Sequence, residues 1–296
     1  MPLGCESQLP PARVPGIDLE RFTVEHPSNH VWFPTPPSRP LSTAPLSSPP
    51  LSTATDTEQV EATFEVLATD AADALVLMSY ETKEGPISTA SAFGCRAFEE
   101  AAPMLCTSHR IFGPASGLDT VVPQEQLAHF VEHGFGRGRT SAAIFASVHD
   151  PLPILDTGVV SAGNLRNDIL AFALLPPSRI HPLPLSMRSP QVGALVTIVV
   201  LEAKPDDPAA PPGVGQGSTF EIRTIQARVI DASKDILIYA FEGAPPEPHS
   251  NGAPVLDSDG EVIGVHISTA TDAGATYGAA APASALIEGI RSALTP

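Results

Sequence analysis

The sequence predicts an all-β protein, built as a barrel or a sandwich, and three observations support this. From about residue 70 onward, the chain of 296 residues is a series of short runs rich in Val, Ile, Leu and Phe. Clusters of Gly, Pro and Asp separate these runs, as turns separate the strands of such folds. Helical periodicity is confined to three short segments, and the 43% hydrophobic content is enough for a sizeable core.

The composition of residues 1–57 predicts a largely disordered tail. They hold a disproportionate share of the 33 prolines and contain the near-repeat "LSTAPLSSPPLSTAT". A segment of this composition cannot bury enough apolar surface to offset its conformational entropy. We therefore expect the folded domain to span residues 58–296.

The three helical segments lie at the start, in the middle and at the end of this domain. "TEQVEATFEVLA", which follows the tail, has apolar residues at helical spacing. "PQEQLAHFVEHG" predicts a helix with Pro123 near its start and Gly134 just beyond its end, and this helix is expected to be a surface insertion. "PASALIEGIRSAL" predicts a terminal helix over about 283–294, whose apolar stripe packs on the strands before it.

The charge of the chain argues against several classes of partner. The net charge of -17, from 33 acidic and 16 basic residues, repels nucleic acid and anionic membrane surfaces. The apolar run "GALVTIVVL" is well short of the ~20 residues that span a bilayer. The N-terminus lacks the basic start and apolar core of a secretory signal, which favours a cytoplasmic location.

The three cysteines do not form a disulfide framework, and none has zinc-ligand spacing. Cys5, Cys95 and Cys106 are expected to be reduced thiols. A bridge between Cys95 and Cys106 is the alternative, because both fall on neighbouring predicted strands. No metal or other cofactor is expected.

Three separated segments carry the strongest functional signal. "MLCTSHRIFG" is a strand that runs into a turn at His109, and "NLRNDILAFALLP" is a polar turn followed by a strand that starts at Asp168. The third, "PHSNGAPVLDSDGEVIGVHIS", is a Gly-containing turn between apolar strands. In this order, the segments resemble the trypsin-like serine proteases, most closely the HtrA-type branch, over about residues 74–294.

The resemblance implies a specific architecture. Two six-stranded antiparallel barrels would pack side by side, the first over about residues 70–176 and the second over about 188–282. The terminal helix, 283–294, would follow them.

The resemblance also implies catalytic roles, with one departure. His109 would be the general base and Asp168 the carboxylate that orients it, but the nucleophile position holds Asn251. An amide nitrogen has its lone pair in resonance and no proton that His109 could usefully take, so Asn251 cannot form an acyl-enzyme. Without its nucleophile, a triad loses roughly a millionfold in turnover.

Ser250, one residue earlier, is the alternative nucleophile. A shift of one residue moves the reacting Cα by about 3.8 Å, whereas attack needs atoms held at roughly 3 to 3.5 Å. By the family pattern, the second oxyanion donor for Ser250 would be Pro248, which has no N–H. For Asn251, the two oxyanion-hole donors would be His249 and Asn251 itself.

The resemblance places three further residues along a substrate cleft. Pro245 falls at the base of the specificity pocket, where it offers no charge, and Val265 and His266 fall on the strand that lines the cleft. An extended peptide would pair with the exposed edge near Val265 and His266. His249 and His266 together supply too few ligands for a metal site.

The predicted function is that of a catalytically inactive protease homologue, a pseudoprotease that binds a peptide or protein partner or has a structural role. One alternative is an active serine endopeptidase that hydrolyses peptide bonds through His109, Asp168 and Ser250. Another is an unrelated all-β scaffold protein, because the dipeptide Asn-Gly in "SNGAP" also fits an ordinary type I′ hairpin turn.

Overall fold

The fold is taken from a computed structural model, which describes a defined part of the chain. The described residues are 71–99, 101–116, 118–138, 144–151, 164–175, 178–203, 220–246, 250–272 and 274–294. The predicted tail, the helix predicted after it and His249 lie outside them.

Thirteen strands and two α-helices make up the described structure. In chain order, they are β1 Leu75–Thr82, β2 Gly85–Arg96, β3 Met104–Ser108, α1 Gln124–Phe130, β4 Val131–Arg137, β5 Ile144–Pro151, β6 Ile169–Leu174, β7 Leu183–Pro184, β8 Leu195–Ala203, β9 Phe220–Ala232, β10 Leu237–Phe241, β11 Pro254–Leu256, β12 Val262–Asp272, β13 Ala275–Pro282 and α2 Ala283–Leu294. Two short 3-10 turns, His109–Phe112 and Pro114–Ser116, follow β3.

The strands form two barrels, which confirms the predicted fold class. The first sheet has the order β1-β4-β5-β6-β3-β2, and pairing between β1 and β2 joins its ends. The two-residue strand β7 adds to β2 in parallel. The second barrel is closed in the order β10-β13-β12-β11-β8-β9.

Each barrel has its own apolar interior, and a third cluster joins the barrels. The interiors contain large buried side chains such as Phe112 and Phe172 in the first barrel and Tyr239 in the second. The third cluster includes residues of both barrels and the inner face of α2, where Leu286, Ile287 and Ile290 are buried as the sequence predicts. Burial of this shared surface fixes one barrel against the other.

The prediction of a helix in "PQEQLAHFVEHG" is right up to Phe130 and wrong after it. α1 ends at Phe130, and Val131–Arg137 is strand β4, which pairs with β1 and β5. The helical spacing in "VEHGF" is weak, and its β-branched and aromatic residues favour a strand. As a strand, the segment also gains backbone hydrogen bonds to its two neighbours in the sheet. The helix is also more than a surface insertion, because Leu127 and Phe130 are buried in the first barrel.

Candidate active site

His109 lies directly after the buried strand β3, in the first barrel. Ser108 ends β3, and its hydroxyl accepts a hydrogen bond from the N–H of Arg110 at 3.2 Å, which starts the 3-10 turn at His109. The backbone N–H of His109 donates to the carbonyl oxygen of Asp168 at 3.3 Å. The fold thus brings the two predicted triad residues of the first barrel side by side.

The Asp168 carboxylate is fully buried and is held by neighbours of His109. Its Oδ1 accepts from the Ser108 hydroxyl and from the N–H of Arg110, each at 3.1 Å. Its Oδ2 accepts from Nε of Arg110 in an ion pair. Burial raises the pKa of Asp168, while the charges of Arg110 and His109 and the two side-chain hydrogen bonds act against that rise.

The His109 ring is bound elsewhere. Its Nε2 lies 2.7 Å from the carbonyl oxygen of Val122, and because a carbonyl only accepts, Nε2 carries the proton. Within the part of the chain that the structure describes, no hydrogen bond joins this ring to the Asp168 carboxylate. A general base of the triad type needs an unprotonated Nε2 and a carboxylate at Nδ1, and this arrangement supplies neither.

The turn with the nucleophile position comes from the second barrel and contacts β3. Ser250 and Asn251 are both buried, and Gly252 has a φ of 94°. A Cβ at Gly252 would collide with the carbonyl oxygen of Ser91 and the hydroxyl of Thr107, and it would lie 3.1 Å from the N–H nitrogen of Ser108. Only glycine therefore allows this close approach, which places Asn251 beside the strand that leads to His109.

The prediction of an exposed strand edge at Val265 and His266 is wrong. Val265 pairs with Pro254 on one side and with Ala281 on the other. The N–H of His266 donates to the carbonyl of Ala253 at 2.8 Å, and the His266 carbonyl accepts from Gly252 at 2.7 Å. The segment 252–254 thus pairs with the edge that was predicted to bind a peptide, because β11 folds back along β12.

The other predicted cleft residues differ in exposure. Pro245 is half-buried, and its carbonyl accepts from the Arg223 guanidinium at 3.4 Å. Val265 and the side chain of His266 are fully buried. A cleft role for these three residues stays a prediction.

His266 is a buried, uncharged imidazole. Its Nδ1 lies 2.5 Å from the hydroxyl of Tyr239, and its Nε2 lies 3.4 Å from that of Thr269. Burial lowers the pKa of His266 to about 3, and burial also raises the pKa of Tyr239, which keeps its proton. The consistent assignment is that Tyr239 donates to Nδ1 and that Nε2–H donates to Thr269.

The buried His266 is expected to make the protein less stable in mild acid. The unfolded chain binds a proton at this imidazole below a pKa of about 6.5, whereas the folded chain binds it only near 3, so stability falls as the pH drops through this window. Between pH 7 and pH 5, the loss is about 2 kcal/mol. Urea unfolding of wild type and His266→Gln at both pH values measures it, and an equal pH dependence of the two proteins would contradict it.

Sequence reasoning missed the partners that define this site. Arg110 follows His109 directly in "TSHRIFG", so a charged neighbour of the triad position was a visible signal. Ser108 was visible in the same way. The Val122 carbonyl carries no sequence signal, because any residue supplies a carbonyl. Among the described residues, there is no cluster of three or more His, Cys, Asp or Glu side chains that could hold a metal ion.

Comparison with solved structures identifies the fold. The chain is similar to the Rv3671c protease from M. tuberculosis in its active form, with a TM-score of 0.50 and 15% sequence identity over 86% of this chain and 96% of that one. It also matches the thermostable serine protease AL20 from an extremophilic microorganism, with a TM-score of 0.48 and 11% identity over 77% of this chain and all of that one. No protein family and no curated protein matches the sequence.

A third similar structure is a mutant of the Tobacco Etch Virus protease, with a TM-score of 0.44 and 12% identity over 72% of this chain and 74% of that one. The similarity to the Rv3671c protease shows that this chain has a chymotrypsin-like protease fold.

Proposed function

We propose that this chain is a chymotrypsin-fold pseudoprotease, which acts as a binding or structural module. The observation that carries the proposal is the bonding of the two triad-position side chains. Nε2–H of His109 donates to the Val122 carbonyl, and the Asp168 carboxylate is held by Arg110 and Ser108. Both groups therefore stabilise the first barrel instead of forming a proton relay.

The residue in the nucleophile position supports the same proposal. Asn251 offers a carboxamide, whose nitrogen lone pair is delocalised into the carbonyl and whose N–H protons are too weakly acidic for an imidazole to remove. Ser250, the alternative nucleophile, is only 5% exposed. Its backbone carbonyl accepts a hydrogen bond from the N–H of Ala253.

The partner we propose is a peptide or a protein. The chain carries a net charge of -17, which disfavours nucleic acid and anionic membranes. No described helix is long and apolar enough to cross a membrane.

An active-site probe tests the absence of catalysis. Incubation of the full chain with a fluorophosphonate is expected to give no covalent label, with active trypsin labelled in parallel as the positive control. The readout is intact mass, so the result does not depend on the choice of peptide substrate.

A label on the wild-type chain that disappears in both Ser250→Ala and His109→Ala would instead establish the alternative. The chain would then be a serine endopeptidase that uses Ser250. Circular dichroism of the two variants checks that loss of label does not reflect loss of fold.

A further inference from the structure

Two buried cysteines contact each other at the base of the candidate site. The Sγ atoms of Cys95 on β2 and Cys106 on β3 lie 2.7 Å apart, and both side chains are fully buried. In the ladder, Cys95 lies opposite Met104 and Cys106 lies opposite Phe93. The two cysteines are therefore diagonal neighbours on the same face of the sheet.

This separation is too short for two independent thiols. Non-bonded carbon atoms are most stable at about 3.5–4.0 Å, and sulfur is a larger atom. A disulfide bond is about 2.05 Å long, so the two sulfurs need to move only about 0.7 Å closer to bond. Diagonal strand neighbours typically lie at about 7–8 Å between Cα atoms, beyond the usual disulfide range, so bond formation requires the backbones of β2 and β3 to move slightly closer at these positions.

We propose that Cys95 and Cys106 form a disulfide that ties β2 to β3 directly before His109. The proposal does not depend on the proposed function, because it applies equally to an active and an inactive chain. Cys106 is followed by Thr107, whose hydroxyl donates to the Ser91 carbonyl on β2 at 2.7 Å. The bond would thus strengthen the pairing of the two strands that the 250–253 turn contacts through Gly252.

The bond forms by thiol–disulfide exchange with a disulfide oxidant, either a small molecule such as oxidised glutathione or a protein of the same chemistry. One cysteine loses its proton and attacks the oxidant, which gives a mixed disulfide and releases one oxidant thiol. The other cysteine then displaces the second oxidant thiol. In total, the two cysteines lose two protons and two electrons, and the oxidant disulfide becomes two thiols.

Burial decides when this exchange takes place. Burial raises the pKa of Cys106 in the folded chain, and the neighbouring Cys95 thiol adds to the rise, so the reactive thiolate is disfavoured there. The bond therefore forms while the barrel is still assembling, and once formed it is protected from reductants until the barrel opens. A structural disulfide of this kind is rare in the cytosol, so it argues against the cytoplasmic location expected from the N-terminus.

Thiol counting tests the proposal on the full chain. The protein is refolded in an oxidised/reduced glutathione buffer and then alkylated in denaturant with and without prior reduction. Because the chain has three cysteines, we expect one adduct without reductant, at Cys5, and three with it.

The unreduced protein should be two hydrogens lighter, and dithiothreitol should reduce it far more slowly in native buffer than in denaturant. Its thermal midpoint should exceed that of the reduced form by roughly 5–10 °C.

Two variants serve as controls. Cys5→Ser should give no adduct before reduction and two after it, whereas Cys95→Ser should give two in both cases and lose the thermal shift. Three adducts on the unreduced wild-type chain, or glutathione attached to Cys95 or Cys106, would overturn the proposal.

Discussion

Replacing Asp168 by alanine is expected to lower the free energy of unfolding by about 3–5 kcal/mol. The carboxylate is fully buried, and the Arg110 side chain that pairs with it is only 16% exposed. Without Asp168, this guanidinium, the N–H of Arg110 and the Ser108 hydroxyl all lose a buried acceptor. Urea unfolding followed by circular dichroism measures the change.

A surface ion pair in the same chain provides the matched control. Arg228 and Glu242 pair at 2.6 Å with side chains 53% and 37% exposed, so Glu242→Ala should cost less than about 1 kcal/mol. The double variant Arg110→Met/Asp168→Leu should recover much of the stability, because it removes both buried charges together. A cost of Asp168→Ala no larger than that of Glu242→Ala would contradict a structural role for the Asp168 carboxylate.

Gly252→Ala is expected to destabilise the protein by about 3 kcal/mol. Its φ of 94° disfavours a side chain by roughly 1–2 kcal/mol, and contact of the new Cβ with the backbone of Ser91 and Ser108 adds roughly 1–3 kcal/mol. The strain falls where the turn of the second barrel meets β3. Chemical denaturation again measures the effect.

Gly193→Ala separates the two contributions to this cost. Gly193 has a similar φ of 87°, but a Cβ there would meet nothing within 4 Å. This variant should therefore cost only about 1 kcal/mol. Equal costs at the two glycines would mean that the turn with Asn251 does not press on the first barrel as described.

Local strand signals predicted the all-β class, and the resemblance to trypsin-like proteases supplied the two-barrel architecture. Runs such as "GALVTIVVL" and "EVIGVHIS" combine β-branched residues with flanking turns, and both became strands of the second barrel. The start of β4, residues 131–133, was misread as helix because its pairing with β1 is a contact between residues distant in sequence. Local periodicity carries no information about such contacts.

The structure brings the three predicted segments together, because β3 pairs with β6 and the turn at Gly252 contacts β3. The catalytic roles of His109, Asp168 and Asn251 stay predictions, and the bonding of these side chains was not predicted. The choice of partner for each side chain depends on tertiary contacts, such as the Val122 carbonyl at His109 and the Tyr239 hydroxyl at His266. A buried charge takes whichever partner lies within hydrogen-bond reach, and for Asp168 that partner is Arg110.

The most direct test of the central claim is fluorophosphonate labelling of a chain in which the nucleophile is restored. The claim is that His109 and Asp168 serve structural bonds and do not form a relay. Asn251→Ser, made in a Ser250→Ala background so that one hydroxyl is tested, should therefore stay unlabelled while it keeps the wild-type circular dichroism spectrum. Stoichiometric label at position 251, abolished by His109→Ala, would contradict the claim, because it would mean that the imidazole is still poised to activate a hydroxyl in this turn.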